Sequence, residues 1–447
     1  QSLPATLQVG ETLALEVSAS FSDYNPSARA TLTLDTDDAL QDRTFEASAS
    51  YPEPGIAVAH PGIPGTSSST SYALRVDGVP VPVNDESYFD FHTAFFSVDD
   101  PVMVEVEFLN GVSYTSIHPL RHGIQPVVNG NTISFPLLEP HKLVIKAAGA
   151  LPLALCATPL ETNVPASSDP DVIYFGPGTH EPGLIEPTSG QTVYLASGAL
   201  VKGRIEVRDA TGVTIRGRGT LDGRGYSVRD DKTHVILFER CNDVHIHGIG
   251  IRGGSWWQTL FLLTDDASAI HLSLLGVSVN TDGIDIDGVS NFVARDCFIR
   301  CEDDGFGWHA LDAETNGEPP TRNALAEDCV IWNTRYGNGL RLGASMETEL
   351  FENITFRNID VLEHSGAAIY ADHSDWATNR NIRFENFTDE TGKTTVDIYI
   401  DKTRYSNSTG FRDERGHYDG LYFVNLNSPG GLIRLRGYDA DHLIENV

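Results

Sequence analysis

Asn280-Thr281-Asp282-Gly283-Ile284-Asp285 and, one loop further on, Cys301-Glu302-Asp303-Asp304-Gly305 flank the run Phe292-Val293-Ala294-Arg295-Asp296-Cys297-Phe298-Ile299-Arg300. Apolar and polar residues partly alternate in that run, which reads as strand rather than helix and puts the carboxylates at strand ends. In a chain that coils as a parallel β-solenoid, the 21-residue step from Asp282 to Asp303 (303 − 282) is close to one full coil. Equivalent points on stacked coils lie about 4.8 Å apart. Asp282, Asp303 and Asp304 are then expected on one patch of surface. Like charges at such range raise one another's pKa, which costs stability but suits a general acid and base pair. The same residues have plainer uses, since Asp-Gly pairs form turns and clustered acids bind calcium.

From Val172 onward the chain has the texture of a loose repeat. Strand-like runs begin near Val193, Val213, Val244, Ile270, Phe292, Ala324, Ile354, Ile382 and Leu421, at intervals of 20 to 39 residues. A core coil with variable loops fits this spacing, and no fixed leucine-rich period appears. Residues 1 to about 165 read differently. Leu13–Val17, Ala30–Leu34, Val102–Phe108 and Leu143–Lys146 are short apolar runs broken by turn residues, the pattern of a β-sandwich. Glu161 to Pro170 reads as a linker, which places a sandwich over 1–168 and a solenoid over 169–447. The sandwich is expected to brace the solenoid, to form one wall of a groove, or to bind carbohydrate.

The chain of 447 residues carries 62 acids against 31 bases, a net charge of −31. Such a charge repels nucleic acid and anionic membranes. No apolar run reaches the length of a membrane span, the longest being broken by proline near Leu151. Gln1 opens into polar, strand-like sequence with no basic-then-apolar segment; a cleaved export peptide and a secreted protein are expected, although the missing signal is equally compatible with a cytosolic origin. Five cysteines with no Cys-x-x-Cys pair argue against zinc. Cys297 and Cys329 sit in similar phrases, so stacked buried thiols or one disulfide are expected. No metal or other cofactor is expected.

The stretch Asn280–Asp285 followed by Asp303-Asp304 resembles the polygalacturonases, glycoside hydrolase family 28. Gly219-Thr220-Leu221-Asp222-Gly223-Arg224-Gly225 and Gly254-Ser255-Trp256-Trp257 are similar to two further segments of that family. The resemblance covers 213 to 310 closely and 180 to 447 loosely. It implies a right-handed parallel β-helix and an inverting hydrolase of polysaccharide backbones, with Asp303 as general acid and Asp282 and Asp304 as bases holding water. A monomer is expected. An inverting pair is expected about 6.5 to 9.5 Å apart.

Two departures bear on substrate. The family's Gly-His-Gly corresponds to Gly337-Asn338-Gly339, so either Asn338 orients the acids or His309 takes over the histidine's part. The family's Arg-x-Lys, which grips a uronate carboxylate, corresponds to Ala368 and Tyr370. A tyrosine face suits a neutral sugar better than a carboxylate. The two-domain layout resembles dextranases and isopullulanases, glycoside hydrolase family 49, which act on uncharged α-glucans. The expected activity is therefore cleavage of a neutral, dextran-like α-glucan, with a polygalacturonase, a uronate lyase or a non-catalytic glycan-binding protein as alternatives. Asp285, Trp257, His309, Asn338, Arg341 and Tyr370 are the expected substrate contacts. Trp256, Trp308, Trp332, Tyr336 and Trp376 are further candidates for sugar stacking.

Overall fold

The computed structural model describes residues 55–99, 101–226, 233–276, 278–310, 319–333 and 335–447 in full, and the backbone of two further strands, Ser27–Leu34 and Arg43–Ser50. Those two pair antiparallel from Ser27↔Ser50 to Leu34↔Arg43 and belong to a separate unit, residues 1–54. The run Leu13–Val17 lies outside the described residues.

Between Ala57 and Pro159 two sheets pack face to face. One has five strands in the order Val127–Asn129, Thr132–Leu137, Val102–Phe108, Tyr72–Val76, Val79–Val81. The other is built around Phe91–Val98, Leu153–Pro159, Lys142–Ala148 and Ser113–His118. Tyr72–Val76 shows why: its residues are alternately buried and exposed, so one face must be covered. Leu74, Val104 and Phe135 of the first sheet and Phe96, Ile145 and Leu155 of the second share one core, a β-sandwich.

From Val172–Phe175 to Ile444–Glu445 the chain winds as a right-handed parallel β-helix, a single sheet path of 27 strands among the described residues. Each strand pairs in parallel with one a coil later, and the interior is filled by columns of stacked side chains. One column runs Val213, Val244, Ala267, Phe292, Ala324, Ile354, Ile382, Leu421. The expected coil start at Ile270 is thus corrected to Ala267; Ile270 pairs with His247 and Arg295 instead. The coil here is lined by the small Ala267 and Ala269, whose weak apolar signal is masked by the outward isoleucine. Val193 likewise stacks on Ile215 rather than Val213.

One corner of the coil is held by a ladder of side-chain amides. Asn323 donates to Asn291, Asn353 to Asn323 and Asn381 to Asn353 at 2.9–3.1 Å. All four have positive φ, a conformation that asparagine tolerates better than most residues.

The sandwich lies along one face of the helix. Phe89, Phe91, Val144 and Cys156 pack against Leu275, Phe298, Val330, Trp332 and Leu362. Around them the pairs Glu86–Arg252, Lys142–Asp296 and Asp360–Arg121 cross between the two parts. Trp332 is spent on this junction and Trp308 on the helix interior, which removes both as sugar-stacking candidates. Cys297 and Cys329 lie one above the other, since the Val330 amide donates to the Cys297 carbonyl at 2.9 Å; all five cysteines are free and buried.

Candidate active site

The acids occupy one corner of the helix, where each coil turns into the next sheet. Backbone bonds stack these turns: the amides of Gln258, Gly283, Gly305 and Gly339 donate to the carbonyls of Asp282, Asp304, Asn338 and Ala367 at 2.9–3.1 Å. The coil step is therefore 22 residues, Asp282 onto Asp304 (304 − 282), and the expected 21-residue step is corrected by one. The glycines are required by the closeness of these turns. A Cβ on Gly283 would lie 2.4 Å from the Gly305 carbonyl oxygen, and one on Gly305 equally close to that of Gly339.

This stacking gathers the three aspartates. One carboxylate oxygen from each of Asp282, Asp303 and Asp304 lies within 4.8 Å of the others, the one such group of potential metal ligands among the described residues. The distance is shorter than the separation expected of an inverting pair. Asp282 and Asp304 are buried and Asp303 is half-buried, so Asp303 is the member that reaches the surface.

Each carboxylate is held differently. Asp303 Oδ2 accepts the Asn280 amide at 3.0 Å, from a residue with φ of +65°. Asp304 Oδ1 accepts both the amide and the side-chain Nδ2 of Asn338 at 2.8 Å, and Asn338 Oδ1 accepts the Ala367 amide at 2.9 Å. Asn338 thus orients Asp304. Asp282 Oδ1 is buried with no hydrogen-bond partner among the described residues. Burial first, then the facing Asp304, pushes Asp303 up to about 6. Burial also raises Asp282 well above the carboxylate range, with Asp303 and Asp304 adding to it and Arg341 opposing. Repulsion from Asp304 thus adds to the larger effect of burial in keeping Asp303 protonated.

Arg341 borders the group. Its Nε and Nη2 bind both oxygens of Asp372 at 2.9 and 2.6 Å, its Nη1 lies 3.5 Å from Asp304 Oδ2, and its guanidinium sits over the rings of Tyr370 and Tyr405. Pairing Arg341↔Tyr370 sets the outward residues of the strand Ala367–His373 as Tyr370 and Asp372. Ala368 is buried in the core, so the expected Ala368/Tyr370 correspondence is corrected by two positions. Asp372 was legible as the residue two beyond Tyr370. Tyr405 was not, because it comes from the loop 401–416. Glu347 takes the Thr409 amide and Asp375 the Asn407 amide, pinning that loop as a fixed wall.

Asp285 and His309 lie beneath the surface rather than on it. Both are buried, with His309 Nε2 3.3 Å from Asp285 Oδ1, and Gly307 leaves room for the pair, since a Cβ there would meet both side chains. Burial, then Arg341, lowers His309 to about 3 and keeps it neutral. Trp257, half-buried, stacks on the His309 ring at 5.0 Å and 19°. Direct sugar contact by Asp285 or His309 is corrected to support of Trp257. Trp256, Trp257, Tyr336 and Tyr370 retain exposed surface, whereas Trp376 is buried beside Phe411.

No protein-family model matches the chain, and no curated protein matches it. Among solved structures it is similar to Dex49A from Penicillium minioluteum, at 13% identity and a TM-score of 0.49, over 85% of this chain and 92% of that one. It is also similar to an exopolygalacturonase from Thermotoga maritima, at 16% identity and a TM-score of 0.42, over 61% and 77% of the two chains. An endo-xylogalacturonan hydrolase from Aspergillus tubingensis aligns at 13% identity and a TM-score of 0.41, over 61% and 84%. At such identity the likeness is one of fold, and the chemistry of the site rests on its own residues.

Proposed function

We propose that this protein is a secreted glycoside hydrolase that cleaves a neutral, α-linked polysaccharide of the dextran type with inversion. The observation that carries this reading is the difference in exposure within the aspartate group. Asp303 reaches solvent with its pKa raised to about 6, as a proton donor to a glycosidic oxygen needs. Asp282 and Asp304 lie buried beneath it as a floor. Oxygens 4.8 Å apart or less can share one water, hydrogen-bonded at about 2.8 Å to each. In the reaction Asp303 gives its proton to the departing oxygen as the bond to the anomeric carbon breaks. The bridged water, held by Asp282, adds to that carbon and gives its proton to the Asp304 carboxylate. Because water and not a carboxylate is the nucleophile, the configuration inverts despite the close spacing.

Neutral substrate is favoured by charge. Among the described residues Arg341 is the cation that acts on Asp282 and Asp303, and its guanidinium is already bound by Asp372 and faces Asp304 rather than standing free for a uronate. Trp257 and Tyr370 offer ring faces to a sugar. Dextran, pullulan and polygalacturonate are to be digested in parallel with product sizing and proton NMR of the first product. Turnover of a neutral glucan with inversion is expected; a retained anomer defeats the water mechanism, and inertness toward every neutral glucan defeats the assignment. A calcium-binding glycan module is the second reading, favoured by the same three oxygens within 4.8 Å. It predicts inertness together with a melting temperature that rises on adding calcium.

A further inference from the structure

The same corner of the helix that carries the acids holds a second concavity on earlier coils. It encloses about 710 Å³ and is bordered by Tyr88 of the sandwich and by Tyr226, Asp222 and Arg224 of the helix. The register Asp222↔Arg252↔Leu275↔Arg300 places it three coil steps, about 14 Å, before the coil of Asp303 and Asp304. Its floor includes glycine backbone. Gly183 and Gly203 line it and approach so closely that a Cβ on Gly203 would lie 2.1 Å from the Gly183 carbonyl oxygen.

Two rings face this floor. Tyr88 is 63% exposed, yet it is rigidly presented: Phe89 beside it is fully buried, and Glu86 before it is locked in a buried ion pair with Arg252. Arg224 lies over the Tyr88 ring at 5.6 Å, and Arg204 over that of Tyr226 at 5.8 Å. An exposed aromatic held between two buried residues loses little freedom on binding, which favours a ligand that stacks. The charges balance in pairs: Arg224 binds both oxygens of Asp222, and Lys202 binds Glu181 at 2.8 Å. Such a surface supplies donors and acceptors without net charge, which suits the hydroxyls and C–H faces of uncharged sugars.

We infer that this concavity is a distal subsite for a neutral glycan and that Tyr88 makes the sandwich part of the substrate groove. The inference rests on the hydrolase reading for the chain's direction of use but not for the binding itself. It is tested in the Asp303→Asn protein by calorimetric titration with isomaltose and with a long isomalto-oligosaccharide, each with and without Tyr88→Ala; Tyr226→Ala is run as a second variant. Tyr88→Ala should weaken the long oligosaccharide about tenfold, in the range of a lost ring contact, and leave isomaltose unchanged. Both tyrosine variants should keep the parent melting temperature. Equal losses for both ligands, unchanged affinity for the long one in both variants, or no binding of either ligand would overturn the subsite. Tyr88-dependent binding by a wild-type protein that cleaves no glucan would uphold the subsite and reject the hydrolase.

Discussion

Asp303 holds a proton against its own acidity because burial and the Asp304 carboxylate both oppose its anion. Activity that needs this proton is expected to fall as pH rises through about 6, and a pH–rate profile checks it. Asp303→Asn should lower kcat by about 10²–10⁴-fold at an unchanged melting temperature, since the side chain is half-exposed. Asp282 offers the opposite test. A carboxyl whose folded pKa is raised adds stability that is complete below its unfolded pKa and lost as pH rises through the folded value. Asp282→Asn is therefore expected to raise the melting temperature at pH 8, to change it little at pH 3, and to abolish turnover. Thermal unfolding at the two pH values decides it. Asn338→Ala strips one donor from Asp304 and leaves the buried Ala367 amide without its acceptor. A loss of about 1–3 kcal/mol is expected by urea unfolding, with a fall in kcat.

The element that matters is the corner turn, repeated from coil to coil with glycine where carbonyls meet. Gly283→Ala should cost about 1–3 kcal/mol or more, because the added methyl meets the next turn's backbone. Gly337→Ala should act on rate instead: its Cβ would lie 2.4 Å from the Asp303 carbonyl carbon, at a φ of +68°, and so displace the acid. Steady-state kinetics showing kcat reduced with KM held would confirm that role. Much of this was legible from the chain alone. The alternating runs announced the coil, and three aspartates at strand ends announced the corner. The coil step was misjudged by one because Asp303 and Asp304 are both acids and composition does not say which stacks on Asp282. Ala267 was passed over because a column position filled by alanine looks like a gap in the apolar pattern. Alignment by glycine misplaced Ala368, whereas strand alternation would have found Tyr370 and Asp372. Tyr405 and Tyr88 reach the groove from distant parts of the chain, and no local pattern marks them.

At the scale of the molecule, sandwich and helix share an apolar junction ringed by buried ions, and the two are expected to unfold together. Arg252→Ala would strand the Glu86 carboxylate in that junction, at a cost of about 3–5 kcal/mol. Calorimetry should then show one transition at lower temperature, and two separated transitions would contradict the coupling. The net charge of −31 adds a general repulsion toward polyanions, in keeping with a neutral polymer as substrate. No helix among the described residues is long and apolar enough to cross a membrane. The five closed thiols have a practical consequence of their own. Burial pushes Cys156 up to about 11 and raises Cys301 and Cys329 as well, so alkylating reagents find neither access nor thiolate while the chain stays wound. A fluorogenic maleimide therefore stays dark on the native protein and lights up as the coils open or the sandwich parts from them, giving a built-in clock for spontaneous opening without any engineered label.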